Sequence, residues 1–245
     1  MNKTSIEWTD FSSNPLYVVD RETGKRGWFC EKVSPGCANC YASALNIRRG
    51  TGHAYLPANR DKVEWRLNER ELEAILRRRK PARIFMCDMT DLFHEDVPFG
   101  FIDQIWEAMR QAHQHTFQVL TKRPERMRLY LRDWAPLPNV WLAVSVENQR
   151  MADERIPVLL DTPAAVRFLS CEPLLGPLDL TPWLTPLPEL EAETCQRCNE
   201  TGEEVICCDD LCANSDECIH GDGYAPCSEC GGVGQIIQNA RPAID

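Results

Sequence analysis

The chain lacks the long apolar runs that span membranes. No stretch of its 245 residues approaches the ~18 consecutive apolar residues that a membrane-spanning helix needs. The first eight residues, Met-Asn-Lys-Thr-Ser-Ile-Glu-Trp, contain no apolar run of the signal-peptide type. A hydrophobic fraction of 43% still suffices for a sizeable core. We therefore expect a cytoplasmic protein without a membrane partner.

Basic residues are scarce in the last quarter of the chain. Residues 181–245 hold 2 Lys or Arg against 13 Asp or Glu, a net charge of −11, whereas residues 1–180 hold 25 against 24. The composition changes near the proline-rich stretch 182–188 and predicts two different parts. We expect a domain over residues 1–182, a cysteine-rich module over residues 190–238, and a final segment over residues 239–245.

Within the first part, residues 48–83 are locally basic, with 11 Lys or Arg against 5 Asp or Glu. A basic surface is typical of proteins that bind phosphate-bearing partners. The alternative is a solvated helix on which glutamates alternate with the basic residues. The sequence leaves both interpretations open.

Thirteen cysteines in an expected reducing compartment indicate metal ligands rather than disulfides. Cys30, Cys37 and Cys40 share one short loop. Three thiolates leave one position of a metal centre open. A [4Fe–4S] cluster can be held by three cysteines, whereas a structural zinc ion needs a fourth ligand. The alternative to a cluster is a zinc site completed by Cys87 or by a histidine.

Beyond this loop, apolar periodicity predicts helices and strands in alternation. The expected helices cover residues 41–48, 63–79, 101–113, 124–134 and 152–160, and the expected strands cover 83–87, 116–120, 140–146 and 166–170, after an extended segment at 7–10. Such alternation favours a parallel sheet with right-handed crossovers. No glycine-rich dinucleotide fingerprint follows a strand, which argues against a Rossmann fold. Polar residues follow every expected strand, and in barrel enzymes these strand ends carry the chemistry.

The loop resembles that of a phage- and prophage-associated three-cysteine-motif family, which is similar to the spore photoproduct lyase branch of radical S-adenosylmethionine (SAM) enzymes. Its first cysteine gap is six residues long, where three is commonest. The segments 89–95 and 121–123 resemble the Thr-Asp and Thr-Lys elements of that branch. The resemblance covers roughly residues 5–180.

The resemblance implies an α/β fold of the radical SAM type, a partial (β/α) barrel with a [4Fe–4S] cluster and SAM at its mouth. It further implies a reductant and favours a nucleic acid or nucleotide substrate. Cys87 and Cys171 would be hydrogen donors to a substrate radical, although such cysteines are more often small buried hydrophobic residues. The residues implied in SAM binding are Tyr41, Thr90, Asp91, Lys122, Ser145, Glu147, Ser170 and Glu172.

Radical SAM barrels usually have six strands, and the sequence pattern predicts five. Residues 239–245 resemble the approach to a further strand. We therefore expect that the barrel lacks its last strand and that a partner chain completes it. An inactive truncated fragment is the corresponding alternative.

The cysteine-rich module contains two C-x₂-C knuckles, each followed by a glycine-containing turn, and resembles half of a DnaJ-type zinc-binding region. Cys195, Cys198, Cys227 and Cys230 supply the four thiolates of a closed zinc site. The alternative is a set of reduced thiols without metal. A second zinc ion would draw its ligands from Cys207, Cys208, Cys212, Cys218 and His220.

The sequence thus favours a radical SAM-type enzyme with an iron–sulfur cluster, SAM and zinc. The alternative is a non-enzymatic, zinc-stabilised phage protein that binds nucleic acid or protein.

Overall fold

The computed structural model describes residues 1–184, 193–194 and 235–236. It shows an α/β protein with one six-stranded mixed sheet, one three-stranded antiparallel sheet and five α-helices in these residues. The strands are β1 (Asn2–Lys3), β2 (Phe11–Ser13), β3 (Leu16–Asp20), β4 (Arg26–Gly27), β5 (Val63–Leu67), β6 (Arg83–Met86), β7 (Thr116–Thr121), β8 (Val140–Ser145), β9 (Val166–Ser170), β10 (Glu193–Thr194) and β11 (Gln235–Ile236). The helices are α1 (Tyr41–Arg49), α2 (Glu69–Arg77), α3 (Phe99–Gln111), α4 (Pro124–Leu131) and α5 (Gln149–Leu160), with 3₁₀ turns at Pro35–Cys37 and Pro57–Lys62.

The large sheet has the strand order β1-β2-β6-β7-β8-β9. Strands β2 to β9 of this sheet are parallel, as the alternation of strands and helices predicts, and β1 pairs with β2 antiparallel. Within residues 1–184, β1 and β9 form the two edges. The architecture is therefore α/β, as expected, with a sheet of six strands rather than five.

One face of this sheet forms the main hydrophobic core. Its side chains alternate along the strands with those of the opposite face, and the helices cover it. The fully buried residues of this layer, each at most 1% exposed, include Ile84, Phe117, Val119, Leu142 and Val144 from the strands and Ile102, Ile105, Met109, Ile156 and Leu159 from the helices. Continuous burial of this kind explains why the strands read as unbroken apolar runs in the sequence.

The opposite face of the sheet carries a cluster of aromatic side chains. The Trp8 ring lies 4.9 Å from that of Phe85 on β6 and 6.0 Å from that of Phe168 on β9, measured between ring centroids. In a flat sheet these two strands would be about 14 Å apart. One indole therefore bridges side chains from two strands that are not neighbours. The side chain of Gln118 on β7 donates a hydrogen bond to the backbone carbonyl oxygen of Trp8 at 3.1 Å and so helps to fix the position of this residue.

The small sheet, in the order β4-β3-β5, corrects one expectation. We expected one helix over residues 63–79, but residues 63–67 form strand β5 and the helix begins at Glu69. Val63 and Trp65 point to the core while Glu64 and Arg66 do not, a two-residue period that belongs to a strand. The helical stripe starts only at Leu72.

In the cysteine-rich region the described residues are limited to β10 and β11, which pair antiparallel. All nine of its predicted zinc ligands, and residues 239–245, lie outside the described residues. Among the helices that the structure describes, none is long and apolar enough to cross a membrane.

Candidate functional site

A cavity of about 420 Å³ lies at the carboxyl ends of the parallel strands, on the sheet face that carries Trp8 and Phe85. We call it the thiol cavity, because all three cysteines of the loop line it. Residues predicted from five separate segments meet there. Those that line it are Cys30, Cys37, Cys40, Tyr41, Cys87, Thr90, Asp91, Lys122, Ser145, Ser170 and Glu172.

Two predicted residues do not line the thiol cavity. Cys171 is half-buried beside it, and burial raises the pKa of its thiol. Glu147 is fully buried and pairs with Arg155, with a distance of 3.0 Å between Oε2 and Nη1. The other carboxylate oxygen of Glu147 accepts a hydrogen bond from the backbone N–H of Gly36 at 3.2 Å.

The bond from Gly36 fixes the cysteine loop against the sheet. A Cβ atom at Gly36 would lie 3.0 Å from the Glu147 carboxyl carbon, so the close approach needs glycine. Burial opposes ionisation of Glu147, yet hydrogen bonds from Ser34 and Gly36 and the charge of Arg155 hold its pKa below the ordinary value. Glu147 therefore anchors the loop as a buried anion.

The loop is also held from its other side by Arg123. Its guanidinium donates to Cys30 Sγ at 3.7 Å and to the carbonyl oxygen of Glu31 at 3.3 Å. Burial raises the pKa of the Cys30 thiol to about 12, and the nearby positive charge of Arg123 opposes that rise. A guanidinium beside a sulfur ligand favours the thiolate form that metals bind.

Asp91 organises the end of β7. Its carboxylate accepts hydrogen bonds from Thr121 Oγ1 at 2.8 Å, from the backbone N–H of Lys122 at 3.2 Å and from Arg123 Nη1 at 3.1 Å. A fourth donor is the backbone N–H of Phe93 at 3.0 Å. With four donors, this carboxylate positions Arg123 and the strand end rather than standing free in the cavity.

Lys122 differs from its neighbour Arg123, because its charge has no carboxylate partner within the described residues. Its ammonium donates to Ser145 Oγ at 3.0 Å, a neutral acceptor. A half-buried ammonium is stabilised by an anion more than by a hydroxyl group. Lys122 therefore makes one wall of the cavity suited to a carboxylate or phosphate.

The opposite wall combines tyrosines with the loop after β6. The hydroxyl of Tyr41 donates to the carbonyl oxygen of Asp88 at 3.0 Å, and that of Tyr55 donates to the carbonyl oxygen of Met89 at 2.7 Å. The side chain of Asn14 donates to the Asp88 carboxylate and accepts from the backbone N–H of Met89. Burial raises the pKa of the Asp88 carboxyl group above its ordinary value.

Cys87 forms the sharp turn between β6 and this loop. Its φ of 63° lies in the left-handed region, which costs a residue other than glycine about 1–2 kcal/mol. The turn is held by hydrogen bonds from the Cys87 N–H to Ser13 and from the Thr90 N–H to Cys87. Its thiol is buried at the cavity wall, and burial raises the pKa to about 12. Strained positions of this kind concentrate at functional sites.

Several cavity residues were not predicted. Arg123 and Asp88 lie in the polar stretches that follow expected strands, so the sequence could have indicated them as site residues. Trp8 and Tyr55 reach the cavity from segments distant in sequence, and nothing local indicated it. Trp8, Phe85 and Leu120 give the cavity an apolar floor.

The donor set fits an iron–sulfur cluster in kind, since three cysteine thiols with partial exposure line one cavity. In the described part of the chain, no group of three or more His, Cys, Asp or Glu side chains is arranged to hold a metal ion. Thiols that each bind a different iron of a cluster are farther apart than thiols that share one ion.

Comparison with known proteins identifies one family. No curated protein and no solved structure matches the chain. A family model described as "Protein of unknown function (DUF5131)" matches residues 3–220, which include the cysteine loop, every strand of the large sheet except the first residue of β1, and one of the two C-x₂-C knuckles. The description assigns no activity. The chain belongs to this DUF5131 family.

Proposed function

We propose that this protein is a radical SAM-type enzyme in which Cys30, Cys37 and Cys40 hold a [4Fe–4S] cluster and the thiol cavity binds SAM. The observation that carries the proposal is the convergence of these three thiols with polar strand ends from β6, β7, β8 and β9 in one cavity. When bound, the cluster and SAM supply a reductively generated 5′-deoxyadenosyl radical. The protein supplies binding, orientation and exclusion of water.

Individual residues fit the binding of a zwitterionic nucleoside cofactor. Lys122 offers an uncompensated positive charge to a carboxylate, and Ser145 offers a hydroxyl beside it. Glu172, at the exposed rim, offers a carboxylate to an ammonium group or to ribose hydroxyls. Trp8 and Phe85 offer aromatic surface to a purine.

The contacts of Trp8 support the proposal that the sheet is a partial (β/α) barrel of the radical SAM type. Trp8 reaches from the loop before β2 to Phe168 on the far edge strand β9. In a small barrel, inward-facing side chains from distant strands meet in this way. An additional strand, from this chain or from a partner chain, would extend the sheet at β9.

The number of loop thiols suits a cluster better than zinc. Three cysteines can hold a [4Fe–4S] cluster, whereas a structural zinc ion there would need Cys87 or a histidine as a fourth ligand. With a cluster at the loop, no fourth ligand is needed. Cys87, the fourth thiol of the cavity, then stays available as a hydrogen donor to a substrate radical.

The test is anaerobic reconstitution with iron and sulfide, followed by measurement of bound iron and of SAM cleavage under reduction. The wild-type protein should bind about four iron atoms and release 5′-deoxyadenosine. Replacement of Cys30, Cys37 and Cys40 together by Ala should abolish both.

The matched control is Cys171→Ala, which removes a thiol outside the cavity and should keep the iron. Iron retained in the triple variant would refute the ligand assignment. Zinc in place of iron at the loop of the wild-type protein would support the non-enzymatic alternative.

A further inference from the structure

A basic surface at the opposite end of α1 from the thiol cavity comes from two segments that the fold brings together. We call it the basic patch and define it by Lys25, Arg26, Arg48 and Arg49, all exposed. The first two residues precede or begin β4, and the last two end α1. Strand β4 packs closely against the end of α1, because a Cβ atom at Gly27 would lie 2.9 Å from the Cα atom of Gly50.

The contact between β4 and α1 is held by hydrogen bonds as well as by close packing. Asn46 is fully buried, and its carboxamide oxygen accepts hydrogen bonds from the backbone N–H groups of Trp28 at 2.9 Å and Thr51 at 3.2 Å. Its NH₂ group donates to Thr51 Oγ1 and to the carbonyl oxygen of His53, both at 2.8 Å. The charges of the patch are therefore presented on a fixed frame.

The four cations of the patch have no counter-charge within reach. None of them lies within 4.0 Å of a carboxylate among the described residues, whereas several exposed arginines on other helices do, in the pairs Arg77–Glu73, Arg110–Glu107 and Arg150–Glu154. Residues 32–49 contain no Asp or Glu. The acidic residues near the patch in sequence are Glu22, exposed in the β3–β4 turn, Asp20, which is buried and pairs with His53, and Glu31, which is buried.

Aromatic and apolar side chains accompany these charges. Tyr41 at the first position of α1 is 54% exposed although its hydroxyl is hydrogen-bonded, and Ile47 is 48% exposed. The Arg26 guanidinium lies 3.7 Å from the centre of the Tyr17 ring. About 10 Å of helix rise separates Tyr41, at the cavity wall, from Arg48.

We propose that the basic patch and the exposed face of α1 bind single-stranded nucleic acid and bring one of its nucleotides to the mouth of the thiol cavity. Unpaired arginines bind backbone phosphates, and exposed aromatic rings stack on unpaired bases. A duplex offers no free base face to Tyr41. Delivery of a nucleotide to the cavity rests on the proposed function, whereas binding of the strand to the patch does not.

An acidic protein partner is the other occupant that such a surface fits. The observations favour nucleic acid for two reasons. The cations of α1 are both arginines, which bind phosphate in a bidentate manner. The aromatic side chain lies at the cavity end of the same helix, where a substrate must enter.

The experiment measures binding of the reconstituted full-length protein to fluorescein-labelled single-stranded DNA and RNA of mixed sequence by fluorescence anisotropy, over a range of salt concentrations. The double variant R48A/R49A should weaken binding roughly tenfold and lower the slope of log K against log salt by about 1.4, the value for two lost phosphate contacts. The control R77A/R110A, which removes two exposed but paired arginines, should bind as the wild type does.

Four results would overturn the proposal: wild-type protein that binds no oligonucleotide, equal affinity of R48A/R49A and wild type, duplex bound as tightly as single strand, or a poly-aspartate competitor that displaces oligonucleotide as well as unlabelled single strand does. Unchanged melting temperatures show that the variants fold. Absent oligonucleotide binding with intact SAM cleavage refutes this inference alone. Oligonucleotide binding by a protein that takes up no iron supports the patch and refutes the proposed function.

Discussion

At the scale of single residues, the strand ends contain two kinds of polar side chain that the sequence does not separate. Lys122 and Ser145 face the cavity and can still bind a ligand, because Lys122 has no ionic partner within the described residues. Asp91 and Glu147 are instead paired with arginines of the protein itself. Three of the four donors to Asp91, namely Thr121, Lys122 and Arg123, stand thirty or more residues later in the chain. A sequence pattern marks which residues end a strand, but only the packed sheet determines whether a charge is already paired.

Glu147 provides the clearest stability test of this distinction. Glu147→Gln removes the negative charge and leaves Arg155, which is 5% exposed, as a buried cation without an ionic partner. We expect the free energy of unfolding to fall by about 3 kcal/mol. Urea denaturation followed by circular dichroism measures it.

The control for Glu147 stands on the same helix as Arg155. Glu154→Gln breaks the exposed pair with Arg150, at i and i+4 on α5, and should change stability by less than about 0.5 kcal/mol. Equal effects of the two substitutions would show that Glu147 is not an anchor.

At the scale of elements, the sequence predicts best where burial is continuous. Strands β6 to β9 and helices α1, α3, α4 and α5 lie within a few residues of their expected positions, because unbroken apolar runs and helical stripes report burial directly. The error over residues 63–79 has the opposite cause. A short strand, Val63–Leu67, runs into a short helix, and the glutamates and arginines common to both suggested a single helix.

The contact between β4 and α1 also has no sequence signature, and glycine substitutions test it. Gly27→Ala would place a methyl group 2.4 Å from the backbone nitrogen of Thr51, so the strand must move away from the helix. We expect a loss of at least about 2 kcal/mol of unfolding free energy. Thermal and urea denaturation measure the loss.

Gly100→Ala is the control, and it should change the free energy of unfolding in the opposite direction. Gly100 lies in α3 with open space around it, and alanine favours the helix over glycine by about 0.5–1 kcal/mol. It should therefore stabilise the protein slightly. A Gly27→Ala variant as stable as this control would mean that the β4–α1 contact is loose in solution.

At the scale of the whole molecule, composition predicts a boundary that topology alone cannot. The net charge changes sign near residue 181, and the chain divides into two units after Trp183. The aromatic contacts across the sheet lie beyond such prediction, because they join Trp8 to Phe85 and Phe168, residues about 77 and 160 positions away.

The two units should also depend on metal differently. Residues 1–183 have their own core of buried aliphatic and aromatic side chains. Residues 190–238 have few large apolar side chains, so their folding should rely on zinc, which supplies roughly 10 kcal/mol or more per structural site. Cys198→Ser leaves three of the four predicted thiolates, and we expect loss of zinc together with loss of hydrogen-exchange protection in residues 195–234.

The large sheet should not respond to that substitution. Strands β6 to β9 form hydrogen bonds with one another and bury their apolar face against helices of the same unit. Protection of residues 83–170 should equal that of the wild type, and so should iron uptake after reconstitution. Cys171→Ser serves as the control for loss of a cysteine as such and should keep its zinc. Unchanged zinc content and protection in Cys198→Ser would refute the paired-knuckle site. Loss of protection in residues 83–170 would mean instead that the sheet draws stability from the zinc unit, which its own strand pairing and apolar core give no reason to expect.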